Sequence, residues 1–197
     1  MPRPKFHGVD FSEHPVRQLD VRNPPDNAGF RCARREFVTY WRGDRVKRDV
    51  GSSVCQAWYI RHASGFAGYI TLLADKLQVG EGEQVLRNEG IKYNSFPAVK
   101  IGLLAADERA RGAGTRLMDW ALAYIAGELG PKLGIRFVTV DALYDPDAGY
   151  DTSEYYGKFG FLLANPHDSS PADGFNTMFL DIVPIVDEIR AQEEQVG

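Results

Sequence analysis

The 197-residue sequence has little sulfur chemistry to offer: two cysteines, three methionines and four histidines. Cys32 and Cys55 cannot build a disulfide framework, and no CxxC pair or Cys/His cluster marks a metal site, so no metal is expected. Two reduced thiols in a cytoplasmic protein are the plain reading, with a single bridge the alternative. The start, Met1-Pro2-Arg3-Pro4-Lys5-Phe6-His7-Gly8, lacks the apolar core of a signal peptide. The longest apolar runs, near Gly68–Ala74 and Ile101–Ala106, are too short to cross a bilayer, so no membrane partner is expected. There is no HExxH or GxSxG motif, and Gly157-Lys158 is followed by Phe159, which excludes a P-loop.

Excess charge of one sign is missing as well. Lys and Arg number 23 against 27 Asp and Glu, so 23 − 27 = −4, which argues against a nucleic-acid coat or a polybasic membrane binder. The average conceals a polarity. Residues 1–48 hold 11 basic and 6 acidic side chains, or +5, which leaves −9 for the remainder. From Asp141 onward only Lys158 and Arg190 oppose 12 carboxylates.

What is present is a globular composition, 44% apolar and 25% charged, with no repeat and no low-complexity linker. We read one domain over 1–197. A short strand is expected near Val16–Val21 and surface helices within 31–48. A hairpin follows, with strands Val54–Arg61 and Phe66–Ala74 joined at His62–Gly65. Beyond a loop containing Gly80-Glu81-Gly82-Glu83, a third strand spans Ala98–Ala105. Leu117, Trp120, Ala121, Tyr124, Ile125 and Leu129 then recur at helical spacing until Gly130-Pro131. Phe137–Val140 and Thr177–Ile182 read as strands. A short helix opens at Asp151 and Glu154 and ends at Gly160, and Val186–Gln195 forms a tail helix. Strands alternating with helices predict an α/β fold, and the early hairpin makes its sheet mixed.

The informative stretch runs Leu104-Ala105-Ala106-Asp107-Glu108-Arg109-Ala110-Arg111-Gly112-Ala113-Gly114-Thr115. It combines a strand end, a loop with two glycines and the start of a helix. Unpaired amides at a helix N-terminus suit a phosphate or pyrophosphate, though a tight turn alone also explains two glycines. A dinucleotide fingerprint fails on spacing, because its third glycine falls on Leu117.

Arg109-x-x-Gly112-x-Gly114 after a strand resembles the acetyl-CoA pyrophosphate motif of the GNAT superfamily of N-acetyltransferases. Tyr155-Tyr156-Gly157-Lys158-Phe159-Gly160-Phe161 is similar to the late tyrosine segment of that family, and the likeness covers about residues 54–182. It implies a GNAT-like fold whose mixed central sheet, flanked by helices, opens a splayed strand pair for acetyl-CoA as cosubstrate. Leu104, Ala105 and Ala106 would bond the pantetheine arm, and Arg109, Arg111, Gly112, Ala113, Gly114 and Thr115 would hold the pyrophosphate. Tyr156 would be the acid toward the leaving thiolate, with core packing as its plainer role. Asp141 and Glu154 are candidates for the base, as is a water chain.

The resemblance leaves the acceptor open. A primary amine of a small molecule or peptide is the leading reading, and the acidic set Asp141, Asp145, Asp147 and Asp151 could attract it. Gly68–Leu72, Pro97–Val99 and Ile101–Ala105 look most like the toxin branch that acetylates aminoacyl-tRNA. That branch carries an Arg where Leu103 stands here, and tends to be basic. Arg31, Arg34, Arg35, Arg42, Arg45, Lys47 and Arg48 could contact a phosphate backbone, or simply form a solvated face. A non-catalytic acyl-CoA-binding module is the third reading. Dimers are frequent in the family.

Overall fold

The computed structural model describes residues 5–78, 90–91, 93–165 and 174–196. The element order is β1 (Arg17–Gln18), α1 (Arg35–Arg42), α2 (Arg45–Gly51), β2 (Gln56–His62), β3 (Gly65–Gln78), β4 (Ser95–Ala106) and α3 (Ala113–Tyr124). A π-helical turn (Ile125–Leu129) and α4 (Gly130–Leu133) continue α3. Next come β5 (Phe137–Asp145), β6 (Tyr150–Asp151), α5 (Ser153–Gly157), β7 (Leu162–Leu163), β8 (Phe175–Asp181) and α6 (Val183–Val196). The hydrogen-bonded order is β1-β2-β3-β4-β5-β8-β7, with β6 paired to β5. The β4–β5 connection runs through α3, the kind of crossover that joins parallel strands, while β2–β3 and β5–β8 are antiparallel. The mixed α/β sheet expected from the sequence is present.

The chain divides into two compact units. The first comprises residues up to Leu73 together with Ile101–Leu122; the second comprises Ala74–Lys100 and the chain from Ala123 onward. In the first unit the core gathers Phe30, Tyr40, Trp41, Val46, Phe66, Tyr69 and Ala105. Helix α1 forms because Phe37, Tyr40 and Trp41 fall on one face, with Glu36 in its first turn and Arg42 in its last, both matching the helix dipole. Its anchorage is aromatic and polar at once. The Trp41 ring lies 4.8 Å from Phe66 and 4.9 Å from Tyr69, and the Tyr69 hydroxyl donates to the Phe37 carbonyl at 2.7 Å. Trp41 Nε1 donates to the Pro25 carbonyl at 3.2 Å. Gly68 permits a close backbone approach: a Cβ there would sit 2.7 Å from the Ala105 carbonyl oxygen.

The second unit centres on Leu77, Phe96, Ala98 and Phe137. Phe137 meets both Phe96 and Phe179 edge-on at 5.8 Å. Its helix departs from expectation at Gly130-Pro131. The helical path does not stop there but runs to Leu133 and ends on Gly134, which is left-handed at φ 67 and donates its N–H to the Gly130 carbonyl. The physical reason is the π-helical turn just before Pro131. That turn restarts the ladder, so proline falls in the first turn of the new segment, where its missing N–H costs nothing.

Other elements lie where expected with shifted ends. Strand β3 extends well beyond Ala74, β5 beyond Val140 to Asp145, and α6 begins at Val183. The strand expected at Val16–Val21 is only two residues long. The loop Gly80–Glu83 lies outside the described residues.

Candidate functional site

The first unit holds the loop–helix corner. Strand β4 ends at Ala106, and the next residue, Asp107, organises everything after it. Its carboxylate is buried and accepts four hydrogen bonds. Oδ1 takes the Arg109 amide at 3.0 Å and Nε at 2.8 Å, while Oδ2 takes the Arg31 amide at 3.0 Å and an Arg109 terminal nitrogen at 2.7 Å. Burial alone would raise the Asp107 pKa, but the Arg109 guanidinium and the two amides outweigh it and hold it below the usual carboxylate value. The Asp107 amide in turn donates to the Ala67 carbonyl at 2.8 Å.

Arg109, expected to hold pyrophosphate, therefore spends its guanidinium on Asp107 and on the Gly29 carbonyl. Arg116 Nε is likewise committed, to the His14 carbonyl at 3.0 Å. Of the cations in this stretch Arg111 is exposed. Asp107 was the residue that motif reading passed over. The signal was available, since Asp two residues before Arg at a strand end is a natural Asx turn.

Beyond the clamp, Gly112 adopts φ +89, a conformation costly for any side-chain-bearing residue, and a Cβ there would meet nothing within 4 Å. The space above the turn is open. The first intrahelical bond of α3 runs from the Arg116 amide to the Gly112 carbonyl at 2.9 Å, so the amides before it have no acceptor within the helix. That of Ala113 is taken by the Ala110 carbonyl at 3.0 Å. The amides of Arg111, Gly112, Gly114 and Thr115 remain, at the positive end of a twelve-residue helix. Such an array fits a pyrophosphate. Upstream, Leu104 and Ala106 are half-buried and Ala105 is buried, while the Leu103 amide donates to Thr71 Oγ1 at 2.8 Å.

Tyr156 belongs to the second unit. Thr152 bonds the Leu143 carbonyl through its hydroxyl, and Ser153 Oγ accepts from the Asn176 side chain at 3.1 Å, which fixes the start of α5 against β5 and β8. Tyr156 is 8% exposed, with the Tyr155 ring at 5.3 Å and Phe161 at 5.8 Å. Burial, with smaller contributions from Tyr155 and Tyr150, raises its pKa well above that of free tyrosine, so the phenol stays protonated at neutral pH.

The acidic set is largely structural. Asp141 pairs with Lys100 and accepts the Thr177 hydroxyl at 3.2 Å. Asp145 accepts the Ala148 amide at 3.2 Å and Asp151 the Ser153 amide at 2.8 Å, so both close turns. Glu154 is exposed. Both cysteines are free. Among the described residues, no helix is long and apolar enough to cross a membrane.

No family model and no curated protein matches the chain. Solved structures do. AtaT complexed with acetyl-methionyl-tRNAfMet matches at TM-score 0.70 and 18% identity, over 88% of this chain and 97% of that one. A tyrosine-to-phenylalanine mutant of KacT matches at TM-score 0.71 and 18% identity, over 89% and 98%. A further bacterial toxin matches at 0.71 and 20%, over 90% and 96%. The chain has the GNAT-like fold of these structures.

Proposed function

We propose that the protein is an acetyl-CoA-dependent N-acetyltransferase whose acceptor is the amino group of aminoacyl-tRNA. The observation that carries this reading is the likeness, over nearly nine-tenths of the chain, to a toxin solved with acetyl-methionyl-tRNA. It favours tRNA over the small-molecule or peptidic amine that the sequence put first. AtaT has also been solved with acetyl-CoA and the antitoxin AtaR, and KacTA with DNA, so an antitoxin partner accompanies the proposal.

When bound, acetyl-CoA supplies its acetyl group as a thioester. The open turn at Gly112 and the amides of Arg111, Gly114 and Thr115 hold its pyrophosphate, and Leu104–Ala106 bond the pantetheine arm through the backbone. The acceptor nitrogen, as neutral amine, forms the new C–N bond while the C–S bond breaks. The sulfur takes the proton of the Tyr156 hydroxyl, the nitrogen gives up its own proton to solvent or a water chain, and solvent returns a proton to the phenolate. Asp141 is a poor base for this step, because Lys100 and Thr177 already occupy its oxygens. Support for Tyr156 comes from its place in the Tyr155–Phe161 segment and from the tyrosine-to-phenylalanine mutants made of both AtaT and KacT.

The test is acetylation of charged tRNA by the full chain with labelled acetyl-CoA. N-acetylaminoacyl-tRNA should accumulate, and expression should arrest growth unless Tyr156 is changed to Phe. Thiol release with polyamines or peptides but never with charged tRNA would restore the small-amine reading.

A further inference from the structure

In the first unit the N-terminal segment, up to Arg31, grips the cofactor loop on both sides. Upstream of the free amides, Arg31 and the loop exchange hydrogen bonds: the Arg31 amide donates to Asp107 and the Glu108 amide to the Arg31 carbonyl, each at 3.0 Å. Arg109 reaches the Gly29 carbonyl of the same segment. Downstream, in the first turn of α3, Arg116 Nε donates to the His14 carbonyl at 3.0 Å. The amides of Arg111, Gly112, Gly114 and Thr115 lie in the chain between these two ties.

The His14 carbonyl is itself held in place. Residues 10–14 form a compact turn: Asp10 Oδ1 accepts the Ser12 amide at 2.9 Å, the Phe11 carbonyl accepts the His14 amide at 3.0 Å, and His14 Nδ1 donates to the Asp10 carbonyl at 3.1 Å. The His14 ring lies 5.0 Å from Phe11, which is buried, and 5.4 Å from His62 at the end of β2. Further along, the Leu19 amide donates to the Ala57 carbonyl at 2.8 Å. The turn is thus seated on β2 by contacts that do not involve the loop.

A cation in the first turn of a helix opposes the helix dipole, and a carbonyl oxygen is a favourable partner for it. Gly112, four residues earlier, holds φ +89, one conformation among the many open to glycine. In a loop free at both flanks the cofactor would have to select that conformation, at a cost to its affinity. With both flanks tied to one seated segment, the ordering cost falls on folding instead. We propose that Arg116, acting through the His14 carbonyl, is a positioning residue for acetyl-CoA, and that the turn at 10–14 and the cofactor loop stabilise each other. By linkage, a cofactor that favours the tied loop also favours the seated turn. The assignment rests on the acetyl-CoA reading above and is independent of the acceptor.

The experiment is calorimetry of acetyl-CoA binding to the full chain and its variants. Arg116→Ala should weaken binding about 10-fold, the worth of one charge-assisted hydrogen bond. Arg116→Gln loses the charge but carries an amide nitrogen at the same place along the side chain as Arg Nε, so it should recover most of that affinity. His14→Ala keeps the carbonyl and removes the ring that seats the turn, and should weaken binding about 3-fold. Because both changes act through one tie, the double variant should bind no more weakly than Arg116→Ala alone. Hydrogen exchange reads the coupling from the other side: acetyl-CoA should slow the His14 amide in the wild type and not in Arg116→Ala. Arg116→Gln binding as weakly as Arg116→Ala would show that the charge meets a phosphate directly and would overturn the tether. Additive losses in the double variant, or His14 exchange indifferent to acetyl-CoA, would overturn it as well, and in each case the acetyl-CoA reading stands. No binding of acetyl-CoA to the wild type would overturn both.

Discussion

Two corners of the molecule carry the motifs, and they work by different means. At Asp107–Thr115 the groups proposed to bind are backbone amides, and side chains shape the chain: Asp107 and Arg109 lock the loop and Gly112 supplies the turn. At Thr152–Phe161 the backbone is the support, and one side chain, the Tyr156 phenol, is the group proposed to do the chemistry. A site made of amides tolerates many sequences that keep its shape. A site made of one hydroxyl tolerates none that lack it. The first corner should therefore fail through binding and stability, and the second through turnover.

The widest separation between them is expected from Tyr156→Phe, which keeps the ring packing against Phe161 and removes only the hydroxyl. Turnover should fall ~10²–10⁴-fold, the usual worth of a positioned acid, with acetyl-CoA affinity unchanged by calorimetry. A parallel loss of affinity would mean that Tyr156 holds the corner's shape instead.

Asp107→Ala attacks the other corner. Removing a buried carboxylate leaves Arg109 and two amides without their partner, and denaturant unfolding should show a loss of about 3 kcal/mol. The sign of its pH dependence follows from the lowered pKa. A carboxylate held below its ordinary value of 3.8 stabilises the fold above that value, and the contribution disappears as the pH falls through the folded pKa. Asp107→Asn should flatten stability against pH below 4; an unchanged acid limb would remove the clamp from the account.

Gly112→Val should lower acetyl-CoA affinity about 10-fold with turnover at saturation little changed, since it obstructs amides rather than the acid. The smallest effect is expected at Arg45, whose side chain is largely exposed. Arg45→Ala should reduce the slope of log affinity for charged tRNA against log salt by about 0.7–0.9. Measured over a salt series, a slope unchanged from the wild type would place the phosphate contact elsewhere on the basic segment.

Much of this contrast was readable in one dimension. The Gly112/Gly114 spacing before an amphipathic helix and the Tyr156 segment are local patterns, and local patterns survive in sequence. So do the hairpin at His62–Gly65 and the apolar stripe of α1. What escaped notice depended on partners far along the chain. Arg109 reads as an anion-binding cation because the Gly29 carbonyl, 80 residues away, joins the neighbouring Asp107 carboxylate on its guanidinium only when the loop closes. The acidic run from Asp141 looked like an attractor for cations, yet Lys100, Thr177 and two local amides already satisfy much of it. Helix termination at Gly130-Pro131 failed for a subtler reason, since a π-helical turn changes which residue proline deprives of a donor.

The scarcity of cysteine and of long apolar runs, the alternation of strands and helices, and the order of the two motifs were decided by the sequence alone. Each depends on residue type and near-neighbour spacing, which a chain carries with it unfolded. Which charges remain available, and what braces the loop after β4, were decided by tertiary structure. Those properties depend on pairing across 76 residues between Arg31 and Asp107, or 32 between Thr71 and Leu103, and such partners meet only in the folded state.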